Sequence, residues 1–594
     1  MSFKLRLLAI ILAVSLLFCL VGCKDEKQNS SMVDPSENSS SQTSDTGPAK
    51  EEIQFSSDDY ETPPHAEAVN VTLDGKTLNI GKAGEYIISG SIEKGQIVID
   101  TDKKSEVKLF FKGVSITSDL GAAVYVKKAK KVTITLMKSS VNTLVTNGQP
   151  VTEDSTNVDG AIFTKSDLTL NGKGNLSIST KGTHGIVVKD TLTVTGGNYN
   201  FDTYGHGIAV KDSLKVSAGD FTLKTGQDGL HTENVDDTSL GNLYIVGGKY
   251  DITSTCDGIS ASNALYIGDG EYSITAGGGA EEGSKAVSGG FGFYDKFFGA
   301  ATTDEASSKG IKSAGDLNIK GGKFKIDTAD DALHSNAAVC IESGEFSIAS
   351  GDDGIHADTH LSVLGGKIEI TRSYEGLEGN SVTLSGGEVS LVSSDDGINA
   401  AGGNDQSGFG GAMRPDQFAS ADSFVKITGG KLSINAMGDG IDSNGAITVT
   451  GGEAYVSGPT NSANGALDFG GKAAVSGGIF LAAGSSGMAA NFTEAEGQGA
   501  MLLSIAGTAD TELILLDSKG NTVLSHKFEK AFTSVVITCP EIKNGNTYTV
   551  KAGSSSVNVE MTTDIYGASG GMGGPGGGMM GPGGGKGDPQ FGPR

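Results

Sequence analysis

Acids recur at a near-constant interval through the middle of this chain: Asp228, Asp257, Asp331, Asp353, Asp396 and Asp439, with Glu375 in step. A second acid stands directly before three of them, at Asp330, Asp352 and Asp395. Asp-Gly is a favoured turn dipeptide and accounts for one acid per block, but not for the second. Like charges one strand spacing apart repel by roughly 3 to 4 kcal/mol at an effective dielectric near 20, and by about 1 kcal/mol in open water. Two carboxylates about 4.8 Å apart can instead share a hard cation through oxygen. The chemistry this spacing predicts is calcium capture, with Asp330, Asp331, Asp352, Asp353, Glu375, Asp395, Asp396, Asp439 and Asp442 as candidate ligands.

A second column follows two positions after each turn glycine: His231, Ser260, Lys312, His334, His356, Glu378, Asn399 and Asp442. It reads as an outward polar stripe, and His334, His356, Glu378 and Asn399 are its candidates for touching a sugar. Two insertions add aromatic and cationic groups, Phe293 and Tyr294 in one and Arg414 in the other. Aromatic faces stack on sugar rings, and a guanidinium forks onto a uronate carboxylate. Lys309 and Lys312, one block from Asp331, are the candidate bases should the chain be a lyase. No nucleophile elbow, P-loop or HExxH pattern occurs.

What must position these residues is a repeat. Between residues 307 and 400 the segments Lys309-Gly310-Ile311, Asp331-Ala332-Leu333, Asp353-Gly354-Ile355, Glu375-Gly376-Leu377 and Asp396-Gly397-Ile398 return at steps of 22, 22, 22 and 21 residues. Two alternating runs follow each, such as Leu317/Ile319 with Phe324/Ile326, separated by a glycine turn. Period-2 alternation between glycine turns means strands, and a fixed short period means a solenoid whose blocks bury their apolar faces on one another. The predicted fold is all-β, a right-handed parallel β-helix of about 22 residues and three strands per coil. Ile311, Leu333, Ile355, Leu377 and Ile398 should form one interior ladder.

The 594 residues include 90 glycines and no tryptophan, and carry a formal charge of −26. So negative a chain is a poor partner for nucleic acid or anionic lipid. Cysteines at 19, 23, 256, 340 and 539 match neither a disulfide framework nor a zinc site. Lys4 and Arg6 before the apolar run Leu7 to Leu20 read as a secretory signal spanning 1–22, ending Leu20-Val21-Gly22-Cys23. The polar stretch 23–52 reads as a flexible tether. Irregular strands at 53–106 are expected to cap the coils, which run from 107 to 497. A small β unit at 498–566 and a Gly/Pro/Met-rich disordered tail at 567–594 complete the chain. Insertions near 235–241, 277–308 and 402–422 gather beside the acidic turn.

Gly84-Glu85-Tyr86-Ile87-Ile88-Ser89-Gly90-Ser91, Gly95-Gln96-Ile97-Val98, Ala161-Ile162-Phe163-Thr164 and the Asp-Asp-Gly-Ile turns resemble the carbohydrate-binding β-helix lipoproteins of clostridia and related bacteria. Leu20-Val21-Gly22-Cys23 resembles the lipobox, which implies lipid on Cys23 and a place on the outer face of the cytoplasmic membrane. The resemblance further implies bound calcium and attachment to plant cell-wall polysaccharide, including pectin and cellulose. A more distant likeness is to pectate lyases of polysaccharide lyase family nine, whose calcium pattern is Asp-Asp-Gly-x-Asp. Asp352-Asp353-Gly354-Ile355-His356 and Asp395-Asp396-Gly397-Ile398-Asn399 lack its last acid, and Asp439-Gly440-Ile441-Asp442 lacks its first. The expected function is a monomeric surface protein that holds an acidic polysaccharide through calcium. The alternatives are a calcium-dependent lyase and a structural adhesin.

Overall fold

Ile311 pairs in register with Leu333, Leu333 with Ile355, Ile355 with Leu377, Leu377 with Ile398, and Ile398 with Ile441, every pairing parallel. All six side chains are fully buried. Each contributes about 1.5 to 3 kcal/mol by leaving water, and none could do so without a coil on either side. One coil contains the strands Ile311–Ser313, Leu317–Ile319 and Lys323–Thr328, and the next contains Leu333–Ser335, Val339–Ile341 and Glu345–Ser350. The fold is a parallel β-helix with three strands per coil.

The computed structural model describes residues 53–153, 155–283, 307–400 and 422–567. No α-helix occurs among them. The irregular early strands enter the same stack: Leu78 pairs with Ile97, Ile97 with Val124, and Val124 with Ile162. At the other end Phe532–Thr538 runs antiparallel to both Ala473–Gly484 and Ala500–Gly507, which terminates the parallel ladder. Beyond it a four-stranded antiparallel sheet packs its own core around Leu513, Phe528 and Tyr548.

Two glycine columns serve different ends. Gly366, at the turn before the third strand, adopts φ +89, a region where L side chains are strained. Gly354 does not; it lies where a Cβ would come within 2.6 Å of the Gly376 carbonyl, so there the requirement is close approach between coils.

Directly after the positive-φ glycines runs a ladder of alternating sign: Asp220, Lys249, Glu271, Lys323, Glu345, Lys367, Glu388, Lys431 and Glu453. Every member between the two ends faces an opposite charge on each neighbouring coil, as between Lys249 and Glu271 at 2.9 Å. In-register stacking would otherwise place like charges side by side.

Candidate cation and carbohydrate site

The acidic turns fall into one column, and the carboxylates there divide their two oxygens between two tasks. Oδ1 of Asp228 accepts the backbone N–H of Asp257 at 3.0 Å, Oδ1 of Asp331 that of Asp353 at 3.0 Å, Oδ1 of Asp353 that of Glu375 at 3.2 Å, and Oδ1 of Asp396 that of Asp439 at 2.6 Å. Asp439 does the same for Gly465. Each acid thereby ties down the next coil's turn, whose N–H has no strand partner. At Asp228, Asp331 and Asp353, Oδ2 faces the polar column beside it, at His231, His334 and His356.

That column is also in register, from His231 through Ser260, Lys312, His334, His356, Glu378 and Asn399 to Asp442. His334, His356, Glu378 and Asn399, expected to face a sugar, are instead buried at 3%, 1%, 4% and 5% exposure. The histidines are spent on the acids. His334 Nδ1 lies 2.8 Å from Asp331 Oδ2. His356 Nδ1 lies 2.5 Å from Glu378 Oε2, and its Nε2 lies 3.0 Å from Asp358 Oδ1. Burial alone would lower the pKa of His356, but hydrogen bonds to Asp353 and Glu378 outweigh it and push it up to about 12. It is a buried imidazolium.

Lys309 occupies a place in the acidic column where other coils carry aspartate or glutamate. It is buried, with Nζ 2.9 Å from Asp330 Oδ1 and 2.7 Å from Asp331 Oδ2. Burial would lower its pKa, yet Asp331 and Asp330 together raise it, so the ammonium is a fixed counter-ion and a poor proton acceptor. In return burial is outweighed at Asp331, which Lys309 and His334 hold well below the usual carboxylate range. Lys312 lies 3.6 Å from Asp257 Oδ2 and 3.1 Å from the Ser307 hydroxyl. Asp330, Asp331 and Asp352 do converge within 4.8 Å, but the Lys309 ammonium already bonds two of them.

Higher in the column the pattern changes. Asp396, Asp439 and Asp442 bring carboxylate oxygens within 4.8 Å of one another, and no lysine, arginine or histidine pairs with them among the described residues. Burial, then repulsion from Asp395, Asp439 and Asp442, pushes Asp396 well above the ordinary range. Burial and its acidic neighbours raise Asp439 to about 6 and Asp442 to about 7. Asn399, between Glu378 and Asp442 in register, donates Nδ2–H to Glu375 Oε2 at 2.8 Å, on the coil below. Its Oδ1, on the other side of Cγ, is buried without a hydrogen-bond partner among the described residues. A Cβ at Gly438 would lie 2.4 Å from both Asp395 Oδ1 and Asp396 Oδ1, so glycine keeps that side of the acids open. Oxygen donors alone, several of them anionic, suit calcium. Glu375 stands just below, raised by burial and by Glu378.

The histidines lower down form a stack the acidic pattern did not single out. His184, His206 and His231 lie ring on ring at 4.9 and 4.3 Å. His206, Asp228 and His231 converge as metal ligands might. His206 Nδ1, however, accepts the Asp228 N–H at 3.1 Å, as His184 Nδ1 accepts the His206 N–H at 2.9 Å, so both rings do the turn-capping work of the aspartates. Their in-step positions, one before Gly185 and Gly207, were legible in the repeat. Phe293, Tyr294, Arg414 and Cys23 lie outside the described residues.

A family profile described as "Carbohydrate-binding domain-containing protein" matches residues 74–354 and 352–571. A protein of that description from Acetivibrio thermocellus is 32% identical over 156 residues, which are 26% of this chain and 53% of the relative. The chain thus spans about half the length of the curated relative it matches. A solved chain described as the polysaccharide lyase-like protein from C. thermocellum, a gadolinium derivative, is 28% identical; the alignment covers 36% of this chain and 91% of that one at a TM-score of 0.33.

Proposed function

Because the chain belongs to the family of carbohydrate-binding domain-containing proteins, we propose that it binds an acidic polysaccharide of the plant cell-wall type, with calcium at Asp396, Asp439 and Asp442. The observation that carries this reading is a contrast within one molecule. On the third strands the ladder from Asp220 to Glu453 alternates sign coil by coil, which removes like-charge repulsion. The acidic column does not alternate: Lys309 pairs with Asp331 and His356 with Glu378, whereas no lysine, arginine or histidine pairs with Asp396, Asp439 or Asp442 among the described residues. Crowding three half-buried acids together without a counter-charge costs stability that a bound cation would return.

Asp396, Asp439 and Asp442 would hold the ion, with the Asn399 carbonyl as a neutral donor beside them. A calcium ion there supplies positive charge that aspartate and uronate carboxylates can share. The protein's own part is to hold those oxygens still: the Oδ1 bonds of Asp396 and Asp439 to the next coil fix both side chains. Lipid on Cys23 and an extracellular, membrane-anchored position belong to the same proposal, supported by the Leu20-Val21-Gly22-Cys23 sequence.

Retention of the purified protein on polygalacturonate, with calcium and then with chelator, tests the reading. Calcium-dependent retention is expected. Equal retention in chelator, or none in either, rejects it.

A further inference from the structure

Residues 53–60 precede the first strand, yet they do not lie at the end of the stack. Asp59 is buried against the flank of the helix, on residues far from it in sequence: Thr169 is 110 residues away and Thr195 is 136. Its Oδ1 accepts from Lys131 Nζ at 2.6 Å and from the Thr169 hydroxyl at 3.2 Å. Its backbone carbonyl accepts from Asn171 Nδ2 at 3.0 Å and from the Thr195 hydroxyl at 2.6 Å. Oδ2 turns back into the segment, where the N–H and hydroxyl of Ser56 each donate to it at 2.9 Å. One residue thus joins three successive strands, Lys131–Leu136, Asp167–Gly172 and Thr191–Thr203.

The seat suits a carboxylate. Thr169 and Asn171 beneath it are 0% and 2% exposed, whereas Thr193 and Lys215, in register with Thr169 on the next coils, are half-buried. Burial would raise the pKa of Asp59, but the bonds from Lys131 and Ser56 outweigh it and hold the carboxyl below its usual range. Asp59 is therefore an anion bonded to an ammonium in a sheltered place, and such charge-assisted bonds are about twice as strong as neutral ones.

From Asp59 the chain runs back to the start of the stack, where the His65 N–H donates to Glu85 Oε2 at 2.8 Å and Val69–Asp74 enters as the first strand. That strand pairs only with Gly84–Ile92 among the described residues, and Val69 is 52% exposed. Between it and the seat of Asp59 stand two more strands of the same ladder, Gly84–Ile92 and Glu106–Ser118. In a stack whose coils touch only their neighbours, an end strand pulled from one end loses its bonds one after another. A residue held at one seat by three strands must break its bonds together.

We propose that residues 53–60 form a load-bearing latch: tension arriving along the chain before Ile53 is taken up by Asp59 on the three inner strands, and the end strand Val69–Asp74 is shielded from peeling. The inference rests on the anchored reading for the origin of the load, since a protein fixed at Cys23 and bound to a polymer is pulled through these residues. Its mechanics rest on the seat alone.

The test holds single full chains in optical tweezers, between a handle at the N-terminus and a clickable side chain at Val235, which is 78% exposed. Only the first coils then carry the load. Asp59→Ala removes the carboxylate, and Thr195→Val removes one bond to the Asp59 carbonyl; circular dichroism and melting establish that each folds. At constant load the time to first extension should fall about tenfold or more in Asp59→Ala, and by a smaller factor in Thr195→Val. Pulled instead between Val235 and the C-terminus, parent and variants should behave alike. An unchanged lifetime in Asp59→Ala, or an equal shortening in both pulling directions, overturns the proposal. Should Asp59→Ala not fold, Thr195→Val decides on the same terms. Lipid on Cys23 is assayed separately by mass; its absence rejects the anchored reading alone, because the lifetimes are read on purified chains.

Discussion

Asp396 accepts the backbone N–H of Asp439 at 2.6 Å, although 43 residues separate the two in the chain. The solenoid returns to the same edge after each circuit, so a long detour in sequence becomes one strand spacing in space. One oxygen of the carboxylate is thereby committed to the fold, and the other to whatever lies beside the column.

Calcium should raise the melting temperature. At a hundredfold excess over its dissociation constant it contributes about 2.7 kcal/mol. Asp442→Asn removes one charge from the half-buried trio, so the calcium-free protein should melt at an equal or higher temperature and gain little from calcium. Differential scanning fluorimetry with calcium and with chelator reads both.

Lys309→Met removes the ammonium between Asp330 and Asp331. Two acids buried or half-buried there lose their counter-charge, and the expected cost is about 3 to 5 kcal/mol in urea unfolding. Part of the loss should return with calcium, because Asp330, Asp331 and Asp352 already converge. An equal loss with and without calcium would mean that the cluster cannot accept an ion.

Acid stability should depend on His206. Burial, with His231 adding, lowers its pKa to about 3 against the opposing pull of Asp228, while the unfolded chain titrates near 6.5. The unfolded state then binds a proton the folded state refuses. Stability present above pH 6.5 is lost as pH falls towards 3, by up to about 1.4 kcal/mol per pH unit. His206→Asn keeps an acceptor for the Asp228 N–H and removes the titration. Its acid limb should be flatter than the parent's, a difference in which the opposite trend from Asp439 and Asp442 cancels.

Lys323→Glu places three glutamates in succession on the third strands, between Glu271 and Glu345. The expected cost is about 1 to 2 kcal/mol at low ionic strength, from two new like-charge contacts in water. It should shrink as salt is added. A cost unchanged by salt would show that the alternation does not act through charge.

Lyase activity has its own readout. With polygalacturonate and calcium, ultraviolet absorbance from unsaturated uronate should stay flat, because Lys309 is bound to two carboxylates. A rising signal that Lys312→Ala abolishes would assign catalysis instead.

The interior ladder was legible in the chain, because Ile311, Leu333, Ile355, Leu377 and Ile398 recur in step and apolar residues at one period can only be buried by stacking. The ladder of alternating charge was equally open to reading, as the lysine or glutamate after each turn glycine from Gly248 to Gly452. Its nine charges nearly cancel, so it carries no excess of acid of the kind that marks the other column. Burial of His334, His356, Glu378 and Asn399 could not be read, since a residue pointing away from the core is exposed only if nothing lies over it.

Period and residue type, then, settled by themselves that this chain coils, which residues point inward and which acids share an edge. The three-dimensional structure alone decided which of those acids are neutralised. Lys309 and His356 act as internal cations because coils bring them against Asp331 and Glu378, each 22 residues away. Charge in a protein interior is governed by distance and desolvation, and neither is a property of a residue's place in the chain.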